Sequence, residues 1–356
     1  IKNRTDMIKW RLLKDGIRDP FYHFALEEAL LRGIDDGITP PTLRLRQTGP
    51  SVWIGVYQYP EEDVDVAYCT KKGIKIVRRP NPGGAVYQDE GSFCYSLFFP
   101  KKPIFAQLQI TGAEQLYPIF GKAVIETCRD FGVQARLSPM NDITIGGRKV
   151  YGSAQVEFYS AFVHSGTFLV KTDLDEMERC LTPSKLKFID RGFSNVRDRV
   201  VNLCDAARED IKISSVMEKL VQHLAELLNI EFCSGGLSNE ETTLMSKLYK
   251  DKYANREWTF RKKEIYHTVV STKSLSGVIT VGISLTGETI VDLDVKGDFL
   301  IPDQEELTRF IQTMKGKHLD VVPSFVESGR FPPDIKKSLL GLFKDIGAKG
   351  NSHGHT

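Results

Sequence analysis

Asn141-Asp142-Ile143-Thr144-Ile145-Gly146-Gly147-Arg148-Lys149-Val150-Tyr151-Gly152-Ser153-Ala154-Gln155 carries the clearest local signal in the sequence. Two short apolar and β-branched runs flank Gly146-Gly147. A Gly-Gly pair in that setting suits a two-residue type I′ turn, where both central residues need positive φ. The spacing therefore predicts a β-hairpin with Lys149 on its second strand. Gly152, Ser153 and Ala154 are small, so room is left for a ligand beside the ammonium group. An ammonium held there can neutralise a phosphate and a carboxylate oxygen as charge moves during acyl transfer. The plainer reading is a solvated surface lysine, the usual state of that residue.

Upstream lies a glycine loop, Arg78-Arg79-Pro80-Asn81-Pro82-Gly83-Gly84-Ala85-Val86-Tyr87-Gln88-Asp89. Two arginines end a strand and a glycine turn follows. Glycine lets backbone approach a ligand closely, and successive N–H groups can converge on an anion. Arginine adds a bidentate partner for phosphate or carboxylate. No Lys-Ser/Thr follows the glycines and no helical pattern starts there. Neither a Walker A loop nor a dinucleotide fingerprint is present. The plainer reading is a strand–turn–strand corner with exposed arginines.

Around these motifs the pattern alternates strands and helices. Trp10–Leu13, Ser51–Gly55, Ile74–Arg78, Ser92–Phe99 and Ala161–Val170 read as strands, and Thr42–Arg46 alternates as a half-buried one. Asp19-Pro20 opens a helix, with Asp as N-cap and Pro first inside. The acidic run from Glu61 to Asp65 leads into another helix. Glu114–Phe131 is a further helix, with Pro118 in its first turn or at a kink. Ser215-Val216-Met217-Glu218 reads as a capping box opening a helix to about Leu228. Polar residues from Ser234 to Glu241 mark a composition shift. Beyond it come a helix near 243–253, strands near 264–271 and 278–285, a Thr286-Gly287 turn, a strand at 289–295, and helices at 305–314 and 336–343. Residues 1–245 are thus expected to form a large α/β domain and 246–346 a small α+β domain. Residues 347–356 are expected to be a polar tail, without fixed structure from Gly350 onward.

Composition sets outer bounds. The 356 residues allow about two domains at roughly 150 residues each. Lys+Arg 48 against Asp+Glu 46 leaves a net charge of +2, which excludes a strongly basic nucleic-acid binder. No apolar run reaches the roughly 18 residues of a membrane-spanning helix. Cys69, Cys94, Cys128, Cys180, Cys204 and Cys233 are scattered, with no CxxC, so zinc-ribbon and thioredoxin readings fail. Scattered thiols lead us to expect a reducing, cytoplasmic setting. An organelle reached by a leader removed before Ile1 fits equally well.

Together the two strings resemble the lipoate–protein ligase family. That family carries Arg-Arg-x-x-Gly-Gly-Gly-Ala-Val-aromatic-His-Asp, then Asn-Asp-hydrophobic, then Gly-Arg-Lys-x-x-Gly-Ser-Ala, and here the order and spacing match. His164-Ser165-Gly166-Thr167-Phe168-Leu169 is similar to its His-x-Gly-Thr-Leu-Leu. Ser194 to Leu203 is similar to its Ser-Val-x-x-Arg-Val-x-Asn-Leu. Glu257-Trp258-Thr259-Phe260 and Gly297-Asp298-Phe299 resemble landmarks of its C-terminal accessory domain. The chain departs from the pattern twice. Pro82 replaces the first of three glycines and removes an N–H donor. Gln88 replaces a histidine with a side chain that hydrogen-bonds but does not titrate.

The resemblance implies a biotin/lipoate-ligase-like α/β catalytic domain with a mixed, mostly antiparallel sheet, plus a small α+β accessory domain that rotates between half-reactions. It implies two steps: lipoate and Mg-ATP give lipoyl-AMP and pyrophosphate, and a lysine amine of an acceptor protein then takes the lipoyl group. By match to the family, Arg79 binds phosphate and carboxylate. Gly83, Gly84, Ala85, Val86 and Tyr87 hold nucleotide and the acyl end. Asn141 and Asp142 lie beside the nucleotide, with Asp142 a Mg²⁺ ligand. Lys149 is the catalytic group touching lipoyl carbonyl and α-phosphate. His164, Gly152 and Ser153 belong to an apolar acyl tunnel, the plainer reading of His164 being a satisfied core residue. Expected partners are lipoyl domains of 2-oxoacid dehydrogenases and the glycine-cleavage H protein, with no nucleic acid, no membrane and a monomeric chain. The alternatives are a lipoyl-AMP-dependent or a thiol-dependent lipoyl/octanoyl transferase without ATP, and a non-catalytic binder of lipoate or lipoyl domains. A biotin ligase fits less well, because its glycine–arginine loop has a different order.

Overall fold

A computed structural model describes residues 7–138, 140–183, 195–301 and 303–352. In chain order the strands are β1 (Ile8–Arg18), β2 (Thr42–Thr48), β3 (Ser51–Ile54), β4 (Lys75–Arg78), β5 (Val86–Gln88), β6 (Ser92–Pro100), β7 (Arg136–Ser138), β8 (Asp142–Ile145), β9 (Arg148–Phe158), β10 (Ala161–Leu169), β11 (Ile230–Ser234), β12 (Thr268–Ser274), β13 (Gly277–Thr286) and β14 (Thr289–Gly297). Eight of them form one sheet in the order β11-β1-β2-β6-β10-β9-β8-β7. β1 runs parallel to β11 and β2, and the other neighbours are antiparallel. This is the mixed α/β architecture expected. Two smaller sheets, β4-β3-β5 and β12-β13-β14, flank it.

The hairpin forms as read, with Gly146 and Gly147 at φ 57° and 81° between β8 and β9. Helix Pro20–Asp35 begins at the expected cap, where the Asp19 carboxylate accepts from the Phe21 N–H at 2.8 Å. Helix Leu116–Asp130 has Pro118 in its first turn. One side of the large sheet packs on that helix and on helix Ile213–Leu228, over Trp10, Leu43, Tyr95, Phe99, Phe120 and Phe162.

Several local expectations shift. β2 alternates, but it is buried on both faces rather than half-buried. Leu43 and Leu45 enter the aromatic core. Arg44 and Arg46 face a dry polar layer under helix Pro20–Asp35, where Glu27 Oε2 meets Arg44 at 3.0 Å and Arg46 at 2.9 Å. Helix Ile213–Leu228 starts at Lys212 with no side-chain cap, so Ser215 lies inside its first turn. The amphipathic face Val216, Leu220, Leu224, Leu228 sets that helix, not the capping motif. The capping box forms instead at Ser238–Glu241, where each residue bonds the other's N–H, and it opens helix Asn239–Leu248. The β13–β14 turn is Gly287-Glu288, since Thr286 pairs with Thr289. Helix Pro333–Ser352 continues into the expected polar tail, and 353–356 lie outside the described residues. No helix among the described residues is long and apolar enough to cross a membrane.

Residues 239–253 sit on the first helix, and Glu28 of that helix accepts from Lys252 at 2.7 Å and Tyr253 at 2.6 Å. A separate apolar cluster joins β12–β14 to the last helices, over Ile279, Val281, Ile283, Phe310 and Leu339. Glu241 clamps Arg11 at 2.6 and 2.8 Å and accepts from Thr39 at 2.7 Å. Burial opposes its charge, but these bonds outweigh it and hold the carboxyl below its ordinary range. Removing one partner of a buried pair strands the other charge, so Glu241→Ala should cost about 3 kcal/mol of stability, read by denaturant unfolding. With a lowered folded pKa, the contribution is present above the unfolded value and disappears as pH falls through the folded one.

Candidate active site

One row of paired residues crosses five strands of the large sheet. Arg46 pairs with Cys94, Cys94 with Thr167, Thr167 with Gly152, and Gly152 with Asp142. Directly paired residues share a face, so this row and its neighbours two residues along form a floor. Four strand spacings put Arg46 about 19 Å from Asp142 across it. The glycine loop roofs the floor, and a cavity of about 1140 Å³ lies between them.

At one end of the row, Lys149 Nζ meets Asp142 Oδ1 at 2.7 Å. The ammonium lies over Gly152, where an added Cβ would come 2.2 Å from Nζ. The small residue read from the sequence therefore makes the lysine's space. Asn141 does structural work. Its side-chain amide donates to the Ser153 carbonyl, and its backbone carbonyl accepts from the Ser153 N–H and hydroxyl, pinning the entry of β8 to β9. Asn141, Asp142, Lys149, Gly152, Ser153 and the loop residues Arg79 and Gly83 to Tyr87 all line the cavity.

The arginines are not exposed, contrary to the plainer reading of the loop. Arg79 is buried and donates to the carbonyls of Trp53 at 2.8 Å, Gly84 at 2.7 Å and Pro82 at 3.2 Å. It thus shapes the loop from within while lining the cavity. Arg78 donates to the carbonyls of Gly55, Val56, Gln58, Trp258 and Thr259. Burial pushes both guanidinium pKa values down. Gly83 takes φ 105°, which favours glycine, and its carbonyl sits where a Cβ on Gly55 would be.

His164 does not line the cavity. It is fully buried one layer below, its ring against Phe120, with Nε2 3.3 Å from the Tyr151 hydroxyl and Nδ1 3.2 Å from Gln155. The strand alternation that turns Ser165 and Thr167 to the cavity floor turns His164 away from it. Tyr151 is the aromatic residue that reaches the cavity there. Burial pushes the His164 pKa down to about 3. The unfolded chain takes up this proton near pH 6.5 and the fold refuses it. Stability therefore falls by about 1.4 kcal/mol per pH unit below that point, down to the folded value. His164→Gln should remove roughly 2 kcal/mol of the loss between pH 7 and 5, read by unfolding at both values.

Sequence reasoning missed Arg46, Trp53, Gly55 and Thr167, and treated Gln88 only as a departure. Arg44 and Arg46 on a strand between apolar runs were the available signal. It also placed the accessory landmarks without saying what they touch. Trp258 and Thr259 hold Arg78, and Trp258 Nε1 donates to the Arg78 carbonyl at 2.9 Å. Phe299 stacks on Tyr57 at 5.2 Å, and Gln304 donates to the Pro80 carbonyl at 2.8 Å. The first landmark therefore holds the first residue of the glycine loop, and Gln304, just beyond the second, holds Pro80 within it. Ser194 lies outside the described residues.

Among the described residues no group of three or more His, Cys, Asp or Glu side chains could hold a metal ion. Magnesium needs only one or two carboxylates when phosphate oxygens complete its shell. Asp142 fits as one such ligand.

Residues 19–225 match the family model "Lipoyl protein ligase A/B catalytic domain". The chain is 32% identical over 244 residues to the lipoate-protein ligase A subunit 1 of Thermoplasma acidophilum, covering 66% of this chain and 89% of that one. It is 26% identical over 273 residues to the octanoyltransferase LipM of Moorella thermoacetica, covering 71% and 98%. A crystal structure of lipoate-protein ligase A bound with ATP superposes with a TM-score of 0.62 at 28% identity, over 71% of this chain and 99% of that one. A lysine over a glycine-cleared floor, a loop folded round a buried arginine, and these matches lead to one conclusion: the chain belongs to the lipoyl protein ligase A/B family.

Proposed function

We propose that this member of the lipoate-attachment enzymes is an ATP-dependent lipoate–protein ligase. The observation that carries the reading is the position of Lys149 over Gly152 in a cavity that none of the six cysteines lines. A thiol-dependent transferase needs a reachable thiolate. Cys180 and Cys94 are both buried; the hydrogen bond with the Cys69 thiol, then burial, pushes Cys180 up, and burial pushes Cys94 up. The thiol side of the family, to which the LipM relative points, is therefore the weaker reading.

In the proposed first step a lipoate carboxylate oxygen attacks the α-phosphorus of ATP. The new bond gives lipoyl-AMP, and pyrophosphate leaves. Lys149 swings from Asp142 to the oxygens that gain charge, and Gly152 leaves it room. The glycine loop, braced by Arg79, holds the phosphates and excludes water from the mixed anhydride. Magnesium, when bound beside Asp142, neutralises phosphate charge. In the second step the amine of an acceptor lysine attacks the activated carbonyl and AMP leaves.

The acceptors we propose are lipoyl domains and the glycine-cleavage H protein. The division into a large unit and an accessory unit at 246–346 is likewise our proposal. The test is pyrophosphate release with ATP, Mg²⁺ and lipoate, followed by addition of an apo lipoyl domain. About one equivalent of pyrophosphate and then a lipoylated domain is the expected result. Transfer from synthetic lipoyl-AMP without any pyrophosphate release would replace the ligase reading with that of a transferase.

A further inference from the structure

The floor of the cavity has a direction. Lys149 Nζ lies over Gly152, and Cys94 stands two strands away, about 10 Å off. An extended eight-carbon acid is also about 10 Å long, taking 3.3–3.6 Å per three backbone bonds. With its carboxylate at Lys149, such an acid running toward β2 ends over Cys94 and Arg46.

That corner is not apolar. Gln88 lies against Cys94, its Oε1 accepting from Ser92 Oγ at 2.8 Å and from the Cys94 thiol at 3.6 Å. Gln88 Nε2 is buried and has no partner in the protein. Arg46 commits one terminal nitrogen to Ser96 at 2.7 Å and Glu27 at 2.9 Å, but its buried Nε is also unpartnered. Both residues line the cavity and both side chains are at least 97% buried. Two aromatic rings, Trp53 and Phe24, line it as well, 4.8 Å apart edge to face, and the Arg46 guanidinium lies 5.9 Å from the Trp53 ring.

A methyl-ended acid reaching this corner would displace water from two donors and satisfy neither, and a buried donor left unpaired is costly. A soft, polarisable acceptor suits it better. Divalent sulfur accepts weakly from N–H groups and packs well against aromatic rings.

We propose that Gln88 and Arg46 form a polar end-pocket that selects acids with a sulfur-bearing, hydrogen-bond-accepting terminus over methyl-ended acids of the same length. In substrate terms this is lipoate over octanoate, which rests on the ligase reading above. Gln88 acts as a specificity-determining residue through its N–H group, the feature that separates it from a purely apolar tunnel wall. The Cys94 thiol beside it stays protonated, because burial pushes it up, and so does not open a dithiolane by exchange.

The test is titration calorimetry of the whole protein with lipoate and with octanoate, without ATP. The expected result is lipoate binding at least about tenfold more tightly. In Gln88→Met, which keeps length and removes the donor, octanoate should bind better, lipoate worse, and the ratio should fall about threefold to tenfold. Gln88→His returns an N–H and should keep the preference. Equal affinity of the two acids for the unmodified protein overturns the proposal, and this result needs no variant to fold. An unchanged ratio in a folded Gln88→Met overturns it too. If the preference appears in binding but no pyrophosphate is released with ATP, the end-pocket stands and the ligase reading fails.

Discussion

Lys149→Ala loses pyrophosphate release from lipoate and ATP by at least about 10²–10³-fold, the scale seen when one charge-stabilising donor is removed. The same variant is expected to unfold at nearly the parent denaturant concentration. The ammonium is one-third exposed and its pair with Asp142 is a surface-like contact, worth no more than about 1 kcal/mol. Large activity loss with small stability loss distinguishes a group that works on the transition state from one that holds the fold. Pyrophosphate release and denaturant unfolding on the same preparation give the comparison. A variant that turns over normally would remove Lys149 from the site.

Gly55→Ala is the second large effect, and it acts without touching substrate. A Cβ at Gly55 would stand 2.0 Å from the Gly83 carbonyl oxygen and 3.1 Å from its carbon. Those are backbone atoms, so the loop itself must move. It cannot move freely, because Arg79 holds the carbonyls of Pro82 and Gly84, and Gly83 sits at φ 105°. A misplacement of about 1 Å at the reacting centre costs roughly 10²-fold in rate. Pyrophosphate release should fall by about that factor, at a stability cost of about 1–3 kcal/mol from overpacking. An unchanged kcat/KM would show that the loop's position does not govern activation.

The glycine loop and the lysine hairpin were legible because their chemistry is local. Gly146 and Gly147 need positive φ wherever the hairpin goes, and Asp19-Pro20 caps a helix with atoms two residues away. The capping box was misplaced because Ser-x-x-Glu recurs, at 215, 238 and 324, and the motif alone does not say which helix begins there. The amphipathic face of helix Ile213–Leu228 had already set that start one turn earlier. The fate of the arginines was illegible for another reason. Arg78 bonds residues 180 positions away, and Arg46 faces a carboxylate on the first helix only because β2 lies beneath it.

The turn, the Asp19 cap, the order of the motifs and through them the family could be read from the residues alone, since each depends on a few adjacent positions. So could the small neighbours of Lys149. Which polar groups became dry was set by packing between distant parts of the chain. That packing turned His164 away from the cavity into an aromatic layer. It wrapped Arg79 in carbonyls and left Gln88 Nε2 and Arg46 Nε without protein partners beside the cavity. Burial depends on what packs from distant parts of the chain, and β pairing across five strands brought those parts together.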